Sequence, residues 1–251
     1  MQISVIIPTY NEAQNIGDLV AFLREHGGSQ VAEVIVADGN STDQTCRIAQ
    51  EAGALTIISP QKGRAWQMNT AATKAKGDLL YFVHADVVPP TSFASDIIAA
   101  VEEGFDFGNY ASLFESRDSM MQFNGRFTQK NWLITRGGGD QTLFVKRATF
   151  SELNGFDTTY VLMEDFDFVR RARRKHRFKI MPKEVFVSTR KYANNSYLRV
   201  NLVNLAVYTG FVLRFPPKWL SKAYAKWLRS APAEDGKYSM VKKWRNGLEQ
   251  M

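Results

Sequence analysis

Short apolar runs rich in β-branched residues alternate with helix-patterned stretches through the first third of the chain, and that alternation leaves few folds open. "ISVIIPTY" reads as a strand, after which Ile16, Leu19, Val20 and Leu23 recur at helical spacing. "VAEVIVADGNSTDQT" repeats the plan: a strand to Ala37, a polar turn, and a helix whose start is signalled by Ser41 with Gln44 three residues on, as in a capping box. "ALTIIS" is a third strand. After "PQKGR" a helix runs through "AWQMNTAATKAK" and is stopped by Gly77, and "DLLYFV" is the next strand. Strands separated by helices imply right-handed crossovers and a mainly parallel α/β sheet. Such sheets bind ligands outside the carboxyl ends of their strands.

Three polar strand ends should therefore share one crevice: Thr9 to Glu12, Asp38, and the His84-Ala85-Asp86 tip. Asn11, Ser41 and Asp43 fit the ordinary use of such residues in caps and turns. Asp86 does not. It follows a buried run and precedes Pro89-Pro90, so no helix begins close enough for it to cap, and a functional carboxylate is the better reading.

Bulk properties remove several alternatives. With 251 residues and 45% hydrophobic content, the chain can bury a substantial core. The single cysteine, Cys46, excludes an intramolecular disulfide framework, and with His26, His84 and His176 it offers no zinc spacing. A reducing compartment suits it. The opening "MQISVIIPTYNE" goes straight into a strand-like run without a basic leader, which leads us to expect a cytoplasmic location. A net charge of +7 suits phosphate-bearing ligands, nucleic acid or anionic headgroups. No nucleic-acid recognition motif accompanies the charge, so no nucleic-acid partner is expected. No GxxxxGK[ST] pattern follows a strand, which rejects a P-loop.

Five segments, "VIIPTYNE", "VADGNSTDQT", "GRAWQMNTAATKAKGDLLYFVHAD", "GGGDQTLFVKR" and "LMEDFDFVRRARR", follow one another in an order and spacing that resemble a family 2 glycosyltransferase with the GT-A fold. The resemblance covers roughly residues 1–190. It implies a domain with a nucleotide-binding half over 1–110 and an acceptor half over 111–190, followed by a helical C-terminal extension over 191–251. It also implies that Pro8, Thr9, Tyr10, Glu12 and Asp38 hold the nucleoside of a UDP- or GDP-sugar, and that Arg64 contacts the nucleotide. Asp86 matches the last carboxylate of the family's Asp-X-Asp motif, which binds Mg²⁺ or Mn²⁺ on the diphosphate; such hard ions are typically held by one or two carboxylates plus phosphate oxygens. His84 departs from the motif by standing where many relatives carry its first Asp. It is either a donor contact or a packed residue. His-Ala-Asp here and Gly-Asp-Gln further on are similar to a bacterial subgroup described as associated with radical-SAM and selenodomain proteins.

On the acceptor side, Gly138 and Gly139 precede Asp140 and Gln141, and the glycines permit close backbone approach or a plain flexible turn. "TLFVKR" follows as a strand. Glu164 and Asp165 open a segment in which Phe168, Arg171 and Ala172 recur at helical spacing, and both carboxylates also suit a helix N-terminus. The basic residues from Arg170 to Lys175 read as the solvated face of that helix. The resemblance implies that the Glu164-Asp165 pair faces the sugar donor with Asp165 as general base, and Glu164, grouped with the acceptor-side residues, is the competing candidate. The implied reaction is transfer of a sugar, with inversion, to an acceptor hydroxyl that the sequence does not name. The rival reading is a sugar-nucleotide or lipid-binding protein without turnover.

Beyond about residue 190 the resemblance thins. "YLRVNLVNLAVYTGFVLRFPPKWLSKAYAKWL" is apolar and aromatic with interspersed cations, but falls short of the roughly 20 apolar residues a spanning helix needs. Either it packs back on the catalytic domain, with Pro216-Pro217 turning the chain between two helices, or it lies against a membrane as a peripheral contact.

Overall fold

The structure, a computed structural model, describes residues 1–114, 142–229 and 239–248. The alternation expected from the sequence is present: β1 (Ile3–Thr9), α1 (Ala13–Gly27), β2 (Val31–Asp38), α2 (Thr45–Glu51), β3 (Leu55–Ile58), α3 (Arg64–Ala72) and β4 (Leu79–Phe82). Then come β5 (Val87–Val88), α4 (Phe93–Glu102), β6 (Phe107–Phe114), β7 (Leu143–Lys146), α5 (Arg147–Glu152), α6 (Glu164–Ala172) and β8 (Phe178–Val187). A 3₁₀ turn over Arg190–Tyr192 leads to α7 (Tyr197–Val212), α8 (Pro217–Trp227) and α9 (Met240–Leu248).

The strands form one sheet in the order β3-β2-β1-β4-β7-β6-β8-β5. β3, β2, β1 and β4 pair in parallel, β7 runs antiparallel to both β4 and β6, and β8 pairs parallel to β6 and antiparallel to β5. β1, β4 and the second half of β2 read as near-continuous apolar runs because both of their faces are covered, whereas the edge strand β3 leaves Leu55 and Ile58 exposed. Ile3, Val5 and Ile7 of β1, with Val34, Val36, Leu79 and Tyr81, pack under Leu19 of α1, Ile97 of α4 and Met240 of α9. Ile6 of β1, with Ile35, Ala37, Leu80 and Phe82, packs against Met68 of α3 and Phe168 of α6. Successive strand residues point to opposite faces, so one strand serves both layers.

Three local expectations need correction. Ser41 is no capping box: α2 begins at Thr45 with Gln44 before it, and the Ser41 hydroxyl instead donates to Asp38 Oδ1 at 2.5 Å. The short side chain found nearer partners than the helix amides, with Asp38 Oδ1 accepting from its hydroxyl and Asn11 N donating to its oxygen. Next, α3 ends at Ala72 rather than running on to Gly77. Gly77 serves a different need, because a Cβ there would stand 2.6 Å from Ser4 N and 2.8 Å from Gln2 O of the neighbouring chain. Finally, the basic run of α6 is not simply solvated. Arg170 and Arg171 both pair with the buried Asp167, at 2.8 and 2.7 Å, and Arg171 also donates to the carbonyls of Leu153 and Gly155 at 2.7 Å each.

The extension splits in its packing. Val203, Val207 and Phe211 of α7 and Leu220 of α8 form a small cluster with Met163, against which Phe166 and Tyr160 pack. Farther on, α9 rejoins the main core, and Met240 N donates to the buried Asn15 Oδ1 at 3.1 Å.

Candidate active site

Two turns meet at the carboxyl ends of β1 and β2. Thr9 donates to Asp38 Oδ1 at 3.3 Å, Ser41 N donates to Asp38 Oδ2 at 2.7 Å, and Asp38 is buried. Asn11 adopts a left-handed φ of 55°, and its Oδ1 accepts from Thr42 N at 2.8 Å while its own N–H donates to Ser41 Oγ at 2.8 Å. Asn tolerates that conformation better than most residues. Asn11 and Ser41 are thus turn residues, as expected, and the rigid pair of turns fixes the two strand ends. Gln67 of α3, which the sequence reading passed over, secures them from below: its buried amide donates to the carbonyls of Thr9 and Ala37 at 2.7 and 2.8 Å. Pro8 is buried within β1, opposite Ala37 of β2, whereas Tyr10 is 51% exposed with Lys62 Nζ 5.5 Å from its ring centroid.

Asp86 lies beyond β4, half-buried. Its carbonyl accepts from Ser188 N at 3.1 Å, which ties the tip to the end of β8. His84, also half-buried, accepts from Val87 N through its carbonyl at 3.1 Å. The same strand end delivers a cation absent from the sequence-derived candidates. Arg190 donates from Nη2 to Glu12 Oε1 at 2.7 Å and stands 3.9 Å from Asp86 Oδ2. Burial pushes the Glu12 carboxyl above its usual range, and the hydrogen bond and charge of Arg190 pull it part of the way back. The one signal available in the sequence was the position of Arg190 just past the strand-like "EVFV". Its proximity to Asp86 follows from the pairing of Val87 with Val187.

A second group forms around the start of α6. Gly63 has φ 128° and ψ 138°, a conformation that side chains resist, and it turns the chain into α3 so that Arg64 opens the helix. Arg64 then reaches Glu164, with Nε 2.7 Å from Oε1 and Nη2 3.3 Å from Oε2. Glu164 is 1% exposed. Met163, just before it, takes a left-handed φ of 73°, which costs a non-glycine residue about 1–3 kcal/mol. Burial of its side chain with Val207 and Phe211 offsets that cost. Asp165 comes next. Its Oδ1 accepts from Phe166 N at 2.8 Å, while its Oδ2 is buried without a hydrogen-bond partner. Burial first, and the neighbouring Glu164 charge second, push the Asp165 carboxyl up; Arg64 only partly opposes them. A carboxylate in that setting is a stronger proton acceptor than one in water.

The fold therefore joins the candidates in two groups, Glu12 with Asp86 and Glu164 with Asp165, while Thr9 and Asp38 bond each other. Gly138, Gly139, Asp140 and Gln141 lie outside the described residues. No cluster of three or more His, Cys, Asp and Glu able to hold a metal ion occurs among the described residues. The partly exposed Asp86 carboxylate fits a hard divalent cation whose other ligands are waters and substrate oxygens rather than an all-protein cage.

The chain is similar to several known proteins. It is 31% identical to the dolichol-phosphate mannosyltransferase of Pyrococcus furiosus over 111 residues, which is 42% of this chain and 32% of that protein. The chain spans about a third of the length of the first curated relatives it matches. Its fold resembles that of a mannosyltransferase from Pyrobaculum calidifontis solved with GDP-Man and Mn²⁺, with a TM-score of 0.62 and 19% identity over 99% of this chain and 80% of that one. It also resembles S. aureus TarS solved with UDP, with a TM-score of 0.61 and 20% identity over 90% of this chain and 70% of that one. The mixed sheet flanked by helices is the GT-A fold. Residues 4–147 match the model of glycosyl transferase family 2, which is more than half of the chain, and the chain belongs to that family.

Proposed function

We propose that this chain is an inverting, divalent-cation-dependent glycosyltransferase that moves a sugar from a UDP- or GDP-sugar to an acceptor hydroxyl. The observation that carries the reading is the buried, unpartnered Oδ2 of Asp165 beside the Arg64–Glu164 pair. Native proteins seldom leave such an atom unsatisfied without a purpose, and an acceptor hydroxyl is a partner of suitable chemistry. Asp165 takes the hydroxyl proton as the oxygen attacks the anomeric carbon from the face opposite the leaving diphosphate, an in-line displacement that inverts configuration. Arg64 holds Glu164 in place and balances its charge, so that the buried Glu164 carboxylate can lie beside the inward-facing Oδ2 of Asp165.

Glu12, Asp38, Thr9 and the exposed Tyr10 form the nucleoside end, with Pro8 shaping the strand beneath them. Asp86, with His84 beside it, would hold Mg²⁺ or Mn²⁺, which when bound neutralises charge building on the leaving diphosphate. Similarity to proteins solved with UDP and with GDP-Man and Mn²⁺ supports this choice of donor and cation. His84-Ala85-Asp86 supports membership of the radical-SAM and selenodomain-associated subgroup. Residues 1–190 form the catalytic domain in this reading and 191–251 its extension, working in the cytoplasm with peripheral membrane contact. Thermal shift with a panel of UDP- and GDP-sugars in Mn²⁺ and in EDTA tests the nucleotide site, because a ligand that binds only the native state raises its stability. Donor hydrolysis then separates a transferase from a protein that only binds: stabilisation without any Asp165-dependent turnover would reject catalysis.

A further inference from the structure

We propose that the outer face of α7 and α8 docks on an anionic lipid surface and thereby holds the Asp165 side of the site against a membrane-borne acceptor; the acceptor clause rests on the glycosyltransferase reading. Two sides of α7 are apolar. Val200, Val203, Val207 and Phe211 are buried, the last three of them in the small cluster beside Met163. Leu198, Leu202 and Leu205 recur on the opposite side and are 66%, 57% and 51% exposed. A helix apolar all round belongs in a protein core or in lipid, and the fold covers only half of this one.

The exposed residues continue past α7. Phe215 is 49%, Trp219 66% and Trp227 44% exposed, so that, among the described residues, eight of the fourteen exposed large apolar side chains fall within α7, α8 and their connection. That concentration is a patch and not the scatter normal for a surface. Cations accompany it: Arg199, Arg214, Lys218, Lys222 and Lys226 are all exposed. No Asp or Glu occurs from Val185 to Arg229. Apolar and aromatic side chains framed by cations alone complement negatively charged headgroups over an acyl layer. Two copies of the same face would repel each other, which disfavours a self-associated pair. No helix among the described residues is long and apolar enough to cross a membrane, so the face lies on the surface and does not span it.

The helix that carries the face also braces the chemistry from its inner side. Tyr208 of α7 meets Phe166 with ring centroids 5.5 Å apart, and Phe166 N is the donor to Asp165 Oδ1.

Cosedimentation of the full chain with phosphatidylcholine vesicles, with and without phosphatidylglycerol, tests the proposal. The chain should pellet with the anionic vesicles and be released at about 1 M salt, where screening acts within ~3 Å. The double variant Leu202→Glu/Trp219→Glu should bind roughly tenfold or more weakly. Both sites are exposed, so its melting temperature and its stabilisation by UDP or GDP in Mn²⁺ should match the parent's. A parent chain that stays in the supernatant with both vesicle types overturns the proposal. So does a parent that is dimeric in solution and becomes monomeric in the double variant, which would make the face a subunit interface. Vesicle binding by a chain that no UDP- or GDP-sugar stabilises would leave the docking supported while removing the glycosyltransferase reading and the acceptor clause with it.

Discussion

Arg64 grips Glu164 across 100 residues of sequence, with Nε 2.7 Å from Oε1, and this contact fixes the two carboxylates that open α6 in unequal roles. Glu164 is spoken for by a guanidinium. Asp165, turned about 100° away around the same helix, keeps one buried oxygen without a partner.

Replacing Asp165 with Asn should lower transfer by roughly 10²- to 10⁴-fold, since an amide cannot take the acceptor's proton, while nucleotide affinity stays near that of the parent. Steady-state rates and calorimetric binding on the same preparation decide it. Turnover close to normal would move the base to Glu164 or Asp140.

The same variant should be more stable than the parent at neutral pH. The native carboxyl titrates above its unfolded value, so between those two pKa values the native state binds more protons and stability falls as pH rises. Asn carries no such penalty. Melting temperatures taken from pH 4 to pH 8 should show a gain that is small at the acid end and grows with pH; a constant difference would mean that packing, not ionisation, is responsible.

Arg64→Ala strands a buried carboxylate. Removing one partner of a fully buried pair costs about 3–5 kcal/mol, and because a third of the Arg64 side chain is exposed we expect roughly 2–3 kcal/mol here. Adding Glu164→Gln should recover most of it. Urea denaturation of the two single variants and the double variant closes the cycle, and purely additive losses would show that the pair is not coupled.

Asp86→Asn should weaken binding of a UDP- or GDP-sugar much more in Mn²⁺ than in EDTA, whereas Arg190→Ala should weaken it in both. Loss of Arg190 also removes the strongest of the groups that lower the Glu12 carboxyl, leaving the Asn15 hydrogen bond, so the acid limb of the affinity profile should move to higher pH. Titration calorimetry across pH reads both effects. Equal affinities for the Asp86 variant and the parent in both media would remove the metal assignment.

The sequence by itself determined the sheet's first four strands and the places where they end, because burial on both faces of β1, β2 and β4 demands unbroken apolar runs, the edge strand β3 keeps a β-branched run, and the polar tips interrupt them. Thr9, Asp38 and Asp86 could be picked out for that reason, Asp165 only through the family resemblance, and the turn duties of Asn11 and Ser41 follow from their short side chains. Only the tertiary structure decided who partners whom. Arg190 meets Glu12 from 178 residues away because β8 crosses to pair with the strand that follows Asp86, a sheet order no local pattern encodes. Arg64 meets Glu164 because α3 and α6 cover the same face of the sheet. Likewise, the apolar residues of α7 look alike in the sequence, and only packing against Met163 and Phe166 separates those in the core from those left facing outward.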